Sequence, residues 1–270
     1  MSGPRGLRIA TELPAYRAAA AQLPVTAVPP APAGSSEARG ALVVVPGVGP
    51  WWRGIRAARD AGAAAAIVAD PVTVPPEAVD ALDVPPDIPV IVERPRLRPD
   101  VAADALSGRE GGPTLISIEA AAASAGFEAV LRDAVGWART LAGAPDVPPA
   151  LRSAAATPHG RMALLDAGLP GGAVPVSVLA AVLQGKRCGG LVRVLALGTV
   201  RTEVTIDQPA GMARVQRCAA DGDLVAPARF EASARLALRR AAAACADGRE
   251  VPDLRELLVD AGVVRAMAQA

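Results

Sequence analysis

Ile88-Pro89-Val90-Ile91-Val92, followed by Glu93-Arg94-Pro95, is the stretch that decides the reading of this chain. The first five residues are an apolar run, and Asp100 to Leu106 beyond them has the pattern of a helix. A strand that ends in an acid, a cation and a proline places that cation at the carboxyl edge of a sheet. Open α/β sheets bind their ligands at that edge. A lysine there could hand protons to a substrate. Arg94 stays charged at any working pH and is a poor proton donor.

Working outward, the first half alternates short apolar runs with alanine-rich helical runs. Strands are expected at Leu7–Ala10, Pro24–Val28, Ala41–Val45, Ala64–Ala69 and Ile88–Val92. Helices are expected at Pro14–Gln22, Trp52–Ala61, Pro76–Leu82 and Asp100–Leu106. Ala41–Val45 is apolar throughout, the mark of a strand buried on both faces. Gly62 suits a helix C-terminus, and Pro29–Gly40 reads as a loop. This alternation predicts a parallel sheet with right-handed crossovers.

The pattern changes after the turn Gly111–Pro113. Leu115–Ile118 reads as a strand. Gly126–Leu141 reads as a helix, with Phe127, Val130, Leu131, Val135 and Ala138 at helical spacing. Val174–Leu183, Leu191–Leu197, Glu203–Ile206 and Ala213–Cys218 are strands joined by short Gly-containing turns, which favours antiparallel pairing. Helices Arg229–Cys245 and Leu254–Met267 close the chain. The expectation is an α/β domain with a parallel sheet over residues 1–112, then an α+β domain with a mostly antiparallel open sheet over 113–270.

Composition sets limits on this picture. The 270 residues can bury a sizeable core, but with 51% apolar and only 2% aromatic residues that core is built from Ala, Val and Leu. A net charge of +1 gives no field to attract nucleic acid or an anionic membrane. No apolar run reaches the roughly 18 residues of a spanning helix, and Met1–Ala10 lacks the apolar core of a secretory signal. Cys188, Cys218 and Cys245 are dispersed and odd in number, which suits reduced thiols in the cytoplasm. Lys186 lies in the turn Gly185–Gly190 and reads as solvated. With one histidine, His159, a multi-histidine metal site within the chain is excluded, and no metal is expected.

Gly47-Val48-Gly49 follows one strand and precedes a helix, and Asp70 ends the next strand. That is the outline of a dinucleotide turn, with glycines for the bend and an acid for the ribose. Trp52 stands where the third glycine belongs and should block close helix–strand packing. Trp51-Trp52 has two open readings: a helix start packed over the sheet, or an aromatic wall that stacks on a flat ligand or another subunit. Asp133 and Trp137 share one helix face, with Arg132 and Arg139 expected in solvent. His159, in Thr157-Pro158-His159-Gly160, reads as an exposed loop residue.

Taken in order, these residues resemble a shortened member of the glucose–fructose oxidoreductase/inositol dehydrogenase (Gfo/Idh/MocA) family. There a nucleotide-binding domain ends in Glu-Lys-Pro, and a second domain opens on a helix carrying Asp-x-x-x-His before an open antiparallel sheet. Glu93-Arg94-Pro95 resembles the first motif and Asp133-Ala134-Val135-Gly136-Trp137 the second; Ala69-Asp70-Pro71 is an alternative register for the first. Val192–Ile206 resembles the sheet's strand pair. The resemblance implies a truncated Rossmann-like first domain. The candidate cofactor-binding positions are Gly47, Gly49 and Asp70 of the outlined turn, with Glu93. It also implies an oligomer through the open sheet.

The departures fall on the chemistry. Leu7-Arg8-Ile9-Ala10 runs into Thr11-Glu12-Leu13-Pro14 without a glycine turn. The motif lysine is Arg94 and the motif histidine is Trp137. In the family those two handle the substrate's proton, which neither guanidinium nor indole does readily. The leading expectation is a pseudoenzyme that binds no cofactor and serves as a binding or partner subunit, as a homo-oligomer or beside an active relative. A plain interaction module comes next. An NAD(P)-dependent oxidoreductase on a sugar or polyol comes third, with Gly47, Gly49 and Asp70 on the cofactor and His159 or Asp133 on the proton.

Overall fold

The computed structural model describes residues 7–23, 25–28, 38–82, 87–109, 111–169, 172–184, 189–248 and 250–270. Pro24, most of the Pro29–Gly40 loop, Lys186 and Cys188, on which expectations fell, lie outside the described residues. The chain divides into two compact units, each made of two segments. The first holds residues up to Arg94 with Phe230–Arg255; the second holds Pro95–Arg229 with Glu256–Ala270.

In the first unit, β1 (Leu7–Ala10), β2 (Val25–Val28), β3 (Ala41–Pro46), β4 (Ala65–Ala69) and β5 (Val90–Glu93) pair parallel in the order β2-β1-β3-β4-β5. Helices α1 (Pro14–Ala20), α2 (Trp51–Asp60) and α3 (Pro76–Ala81) follow β1, β3 and β4. Leu42, Ala65, Ala66, Ile67, Val68 and Ile91 are all but sealed from solvent, as continuous apolar runs in a doubly covered sheet require. The strand order reverses between β1 and β3. The switch point therefore lies just beyond Ala10 and Pro46.

A helix from the far end of the chain completes this unit. In α6 (Ser233–Asp247), Ala234, Ala237, Leu238 and Ala241 fill the same core as Ile9, Leu42, Ile67 and Ile91. β5 is an edge strand, and exposed strand edges invite unwanted pairing. Here the Val92 amide donates to Asp253 Oδ2 at 3.0 Å, and Arg240 of α6 holds that carboxylate with two bonds of 2.7 Å. The division expected at residues 112 and 113 is corrected accordingly. Helix 229–245 was expected in the second domain, but its apolar stripe covers the short parallel sheet.

The second unit is built on an eight-stranded sheet in the order β13-β12-β11-β10-β6-β9-β8-β7. Its strands are β6 (Leu115–Ala123), β7 (Ala150–Thr157), β8 (Gly160–Leu169), β9 (Gly172–Leu183), β10 (Gly190–Leu197), β11 (Arg201–Asp207), β12 (Met212–Ala219) and β13 (Gly222–Val225). All neighbours are antiparallel except β6 with β9. Helices α4 (Pro99–Leu106) and α5 (Phe127–Leu141), with the larger part of α7 (Asp253–Gln269), supply the apolar cover for one face. Val101, Val130, Leu131, Val135, Val263 and Met267 meet Ile116, Ile118, Val176, Val192 and Val204 there. The strands alternate buried and accessible residues, so the other face is open and carries Met162, Leu164 and Leu179.

Four strands differ most from expectation. β7, β8 and β13 were not anticipated, and β6 runs five residues further than Ile118. Their alanines and glycines carry little strand preference, and β7, β8 and β13 are held by hairpin partners adjacent in sequence. Arg132 and Arg139, expected in solvent, are each 1% exposed. Arg139 meets Asp260 of α7 through Nε–Oδ1 at 3.0 Å and a second bond at 3.2 Å. Burial opposes the Arg139 charge, and Asp260 and Glu256 more than offset it, holding the guanidinium above its usual range.

Candidate functional site

The carboxyl edge of the parallel sheet gathers the residues singled out around Gly47, Asp70 and Glu93. After β1, the Thr11 hydroxyl accepts the Leu13 amide at 3.1 Å and closes the turn that a glycine loop would leave open. Pro14 occupies the first turn of α1 and offers no N–H, while the Glu12 side chain is exposed beside it. A phosphate is held by free amides at a helix start and repelled by a carboxylate. This turn supplies the wrong partner twice.

After β3, Gly47 is engaged by its own sheet. Its amide donates to Ala69 O and its carbonyl accepts from the Val72 amide, both at 2.9 Å. A Cβ at Gly47 would lie 2.3 Å from Ala69 O, so the neighbouring backbone demands the glycine. Gly49 adopts φ +62 in open space. The obstruction expected from Trp52 does not arise, because the close approach of helix to strand is made two residues later. A Cβ at Gly54 would come within 2.6 Å of Val45 Cγ1. Trp51 is 2% exposed, donates Nε1–H to Thr73 O at 2.9 Å and meets Trp52 edge to face at 5.9 Å. Trp51 is therefore a packed helix start, and only Trp52 retains accessible surface.

Asp70 ends β4 at φ +43, a left-handed backbone that aspartate tolerates better than most residues, and its amide donates to Glu93 O at 3.1 Å. Beside them stands Tyr16, 1% exposed, donating its hydroxyl to Glu93 Oε2 at 2.6 Å. Burial, then the Glu93 carboxylate, then the charge of Asp70 raise the Tyr16 hydroxyl well above its ordinary 10.0. A phenol so held keeps its proton at neutral pH and serves as a hydrogen-bond donor, not as a base. Arg94 closes this segment, 7% exposed.

In the second unit Asp133 and Trp137 do come together, around a residue the sequence reading passed over. Arg96 donates from Nε to Asp133 Oδ2 at 2.8 Å and from a terminal nitrogen to Gln208 Oε1 at 2.7 Å. Trp137 Nε1–H donates to the Arg96 carbonyl at 2.7 Å. Asp133 and Trp137 are both 0% exposed. Four residues apart on α5, they clip the segment after Pro95 to the helix. Neither offers a face to a small molecule. His159 forms the two-residue turn between β7 and β8, with its side chain exposed.

Among the described residues no cluster of three or more His, Cys, Asp or Glu could hold a metal ion, and no helix is long and apolar enough to cross a membrane. There is no glycine turn after β1, and the Gly47 amide is already bonded. Tyr16, Arg96, Gln208 and Asp260 escaped the sequence reading. Only Tyr16, the one tyrosine in the chain, carried a local hint.

A parallel α/β unit followed by a large open sheet is a fold shared with several solved oxidoreductases. UDP-N-acetylglucosamine 3-dehydrogenase GnnA from Acidithiobacillus ferrooxidans superposes with a TM-score of 0.67 at 16% identity, covering 96% of each chain. The dehydrogenase MviM from Clostridium difficile gives 0.69 at 9% identity over 99% of each. KijD10, a 3-ketoreductase from Actinomadura kijaniata solved with NADP and TDP-benzene, gives 0.64 at 16% identity over 98% of each. The chain has the Gfo/Idh/MocA fold along essentially its whole length. No protein-family model matches it, and no curated protein does.

Proposed function

We propose that this chain is a Gfo/Idh/MocA-fold protein that has lost hydride-transfer catalysis and works as a binding or partner subunit. One observation carries the reading: Asp133 and Trp137, the pair that resembles the family's Asp-x-x-x-His motif, are sealed from solvent and committed to Arg96. The two turns support it, since Glu12 and Pro14 stand where the turn after β1 would meet a pyrophosphate and the Gly47 amide is already bonded to Ala69 O. The partner, a second copy or an active relative, would dock on the open sheet face. The free thiols Cys218 and Cys245 support a cytoplasmic setting.

The test is calorimetry of the purified chain with NAD, NADP and their reduced forms, beside turnover assays on polyols, free sugars and nucleotide sugars. The expected result is no binding heat at tens of micromolar protein and no turnover. Robust nicotinamide-dependent turnover would overturn the reading and restore the active alternative.

A further inference from the structure

In the second unit, the loop that carries the chain from α4 into β6 meets the end of α5. A surface cavity of about 300 Å³ opens there, lined by Leu106, Arg109, Gly111, Gly112 and the Leu141–Gly143 end of α5. Among the described residues its lining holds no carboxylate. Arg109 is half-buried and donates from a terminal nitrogen to Leu141 O at 2.9 Å. That bond uses one of the five N–H donors of a guanidinium, and Arg109 makes no ion pair among the described residues. Burial lowers its pKa with no opposing charge, whereas Asp260 and Glu256 more than offset the burial of Arg139. Gly111 takes φ +79, and neither its amide nor that of Gly112 makes a hydrogen bond among the described residues.

A second cation stands beside the cavity. Arg217 of β12 lies on the covered face, with a terminal nitrogen 2.9 Å from where a Cβ on Gly108 would be. Its Nε is buried without a hydrogen-bond partner, and so is the hydroxyl of Thr202, directly opposite it on β11. Gly112 packs on Gly198, at the turn that leads into Thr202. Capping the end of α5 would explain Arg109 alone. It does not explain a second arginine, two unbonded amides and a buried hydroxyl gathered without an acid. Guanidinium groups and glycine amides are donors to phosphate oxygens. A phosphomonoester carries about −1.5 to −2 charges at neutral pH, close to the balance of two arginines. A volume near 300 Å³ is at the small end of ligand pockets. It suits a phosphate with a short organic body, which Leu106, Leu141 and Ala142 would wall.

We infer that this cavity binds a small phosphomonoester, with Arg109 and the Gly111 and Gly112 amides on its phosphate oxygens and Arg217 as the second balancing charge. Such binding would hold whether or not hydride transfer is lost.

The experiment is an NMR titration of the nitrogen-15-labelled full chain at constant ionic strength, following the Gly111 and Gly112 amides and Arg109 Nε. The probes are glycerol 3-phosphate and acetate, with glycerol as the neutral control. Glycerol 3-phosphate should shift all three signals saturably, with half-saturation at about 1 mM or below. Arg109→Gln should weaken that binding at least about tenfold, through loss of charge-assisted bonds, and Arg217→Gln should weaken it less. Thermal melts confirm that the variants fold. If Arg109→Gln does not fold, weaker binding in Arg217→Gln together with the wild-type amide shifts supports the site. Shifts confined to other residues, no saturation by about 50 mM, or unchanged affinity in the folded variants overturns it. Acetate binding as tightly as glycerol 3-phosphate overturns the phosphomonoester as ligand, and glycerol binding as tightly overturns any role for charge.

Discussion

Two polar constellations flank the same short segment and behave differently. Glu93 belongs to the rim of the parallel sheet, where it is half-buried with Tyr16 and the strained Asp70. Arg96, three residues on, belongs to a sealed clamp with Asp133, Gln208 and Trp137. The rim keeps polar atoms accessible and could be altered without breaking the fold. The clamp is packed on all sides, so losing one partner strands another in the interior. Residues that resemble a catalytic motif can thus be retained because the core depends on them.

The sharpest way to break this contrast is Asp133→Ala. It leaves the Arg96 guanidinium buried beside a vanished carboxylate, a change that typically costs about 3–5 kcal/mol. Urea denaturation should show that loss, and replacing both residues with leucine and methionine should recover much of it. A loss below about 1 kcal/mol would mean that the clamp is not holding the helix, and Asp133 would again be open to a chemical role.

The rim should respond more mildly. Tyr16→Phe removes one hydrogen bond to a half-buried carboxylate, for an expected cost of about 1–2 kcal/mol. The wild type carries a second signature. Because the folded chain holds the Tyr16 proton more tightly than the unfolded chain does, that contribution is complete below the ordinary 10.0 and fades as pH rises through the higher folded value. With a single tyrosine, tyrosinate absorbance reports this group alone. Absorbance that rises at the ordinary value while the chain is still folded would contradict the Tyr16–Glu93 contact.

How much of this was legible follows the same division. The parallel sheet was, because Ala41–Val45 and Ala64–Ala69 are apolar throughout and only burial on both faces explains such runs. The helix of Asp133 and Trp137 was, through its 3.6-residue period. The β7–β8 hairpin was not: Ala154-Ala155-Ala156 has no strand preference, and its pairing is set by Met162 and Leu179 further along the sheet. The clamp was half legible, since Asp133 and Trp137 stood out by spacing. Arg96 and Gln208 lie 112 residues apart, and nothing local announces their meeting. The return of α6 to the first sheet was also invisible, because a stripe of alanine and leucine fits any apolar surface.

The smallest expected effect belongs to His159, which lies in neither constellation. Its amide donates to Thr157 Oγ1 at 3.2 Å and its carbonyl accepts from the Val182 amide, so the backbone makes the turn while the imidazole stays in solvent. His159→Ala should therefore change stability by no more than about 0.5 kcal/mol. Urea melts of the two proteins check this. A loss several times larger would show the imidazole engaged with a partner. The chain's one histidine would then return as the candidate base of a rebuilt site, and the contrast between an alterable rim and a committed clamp would no longer account for all of its polar chemistry.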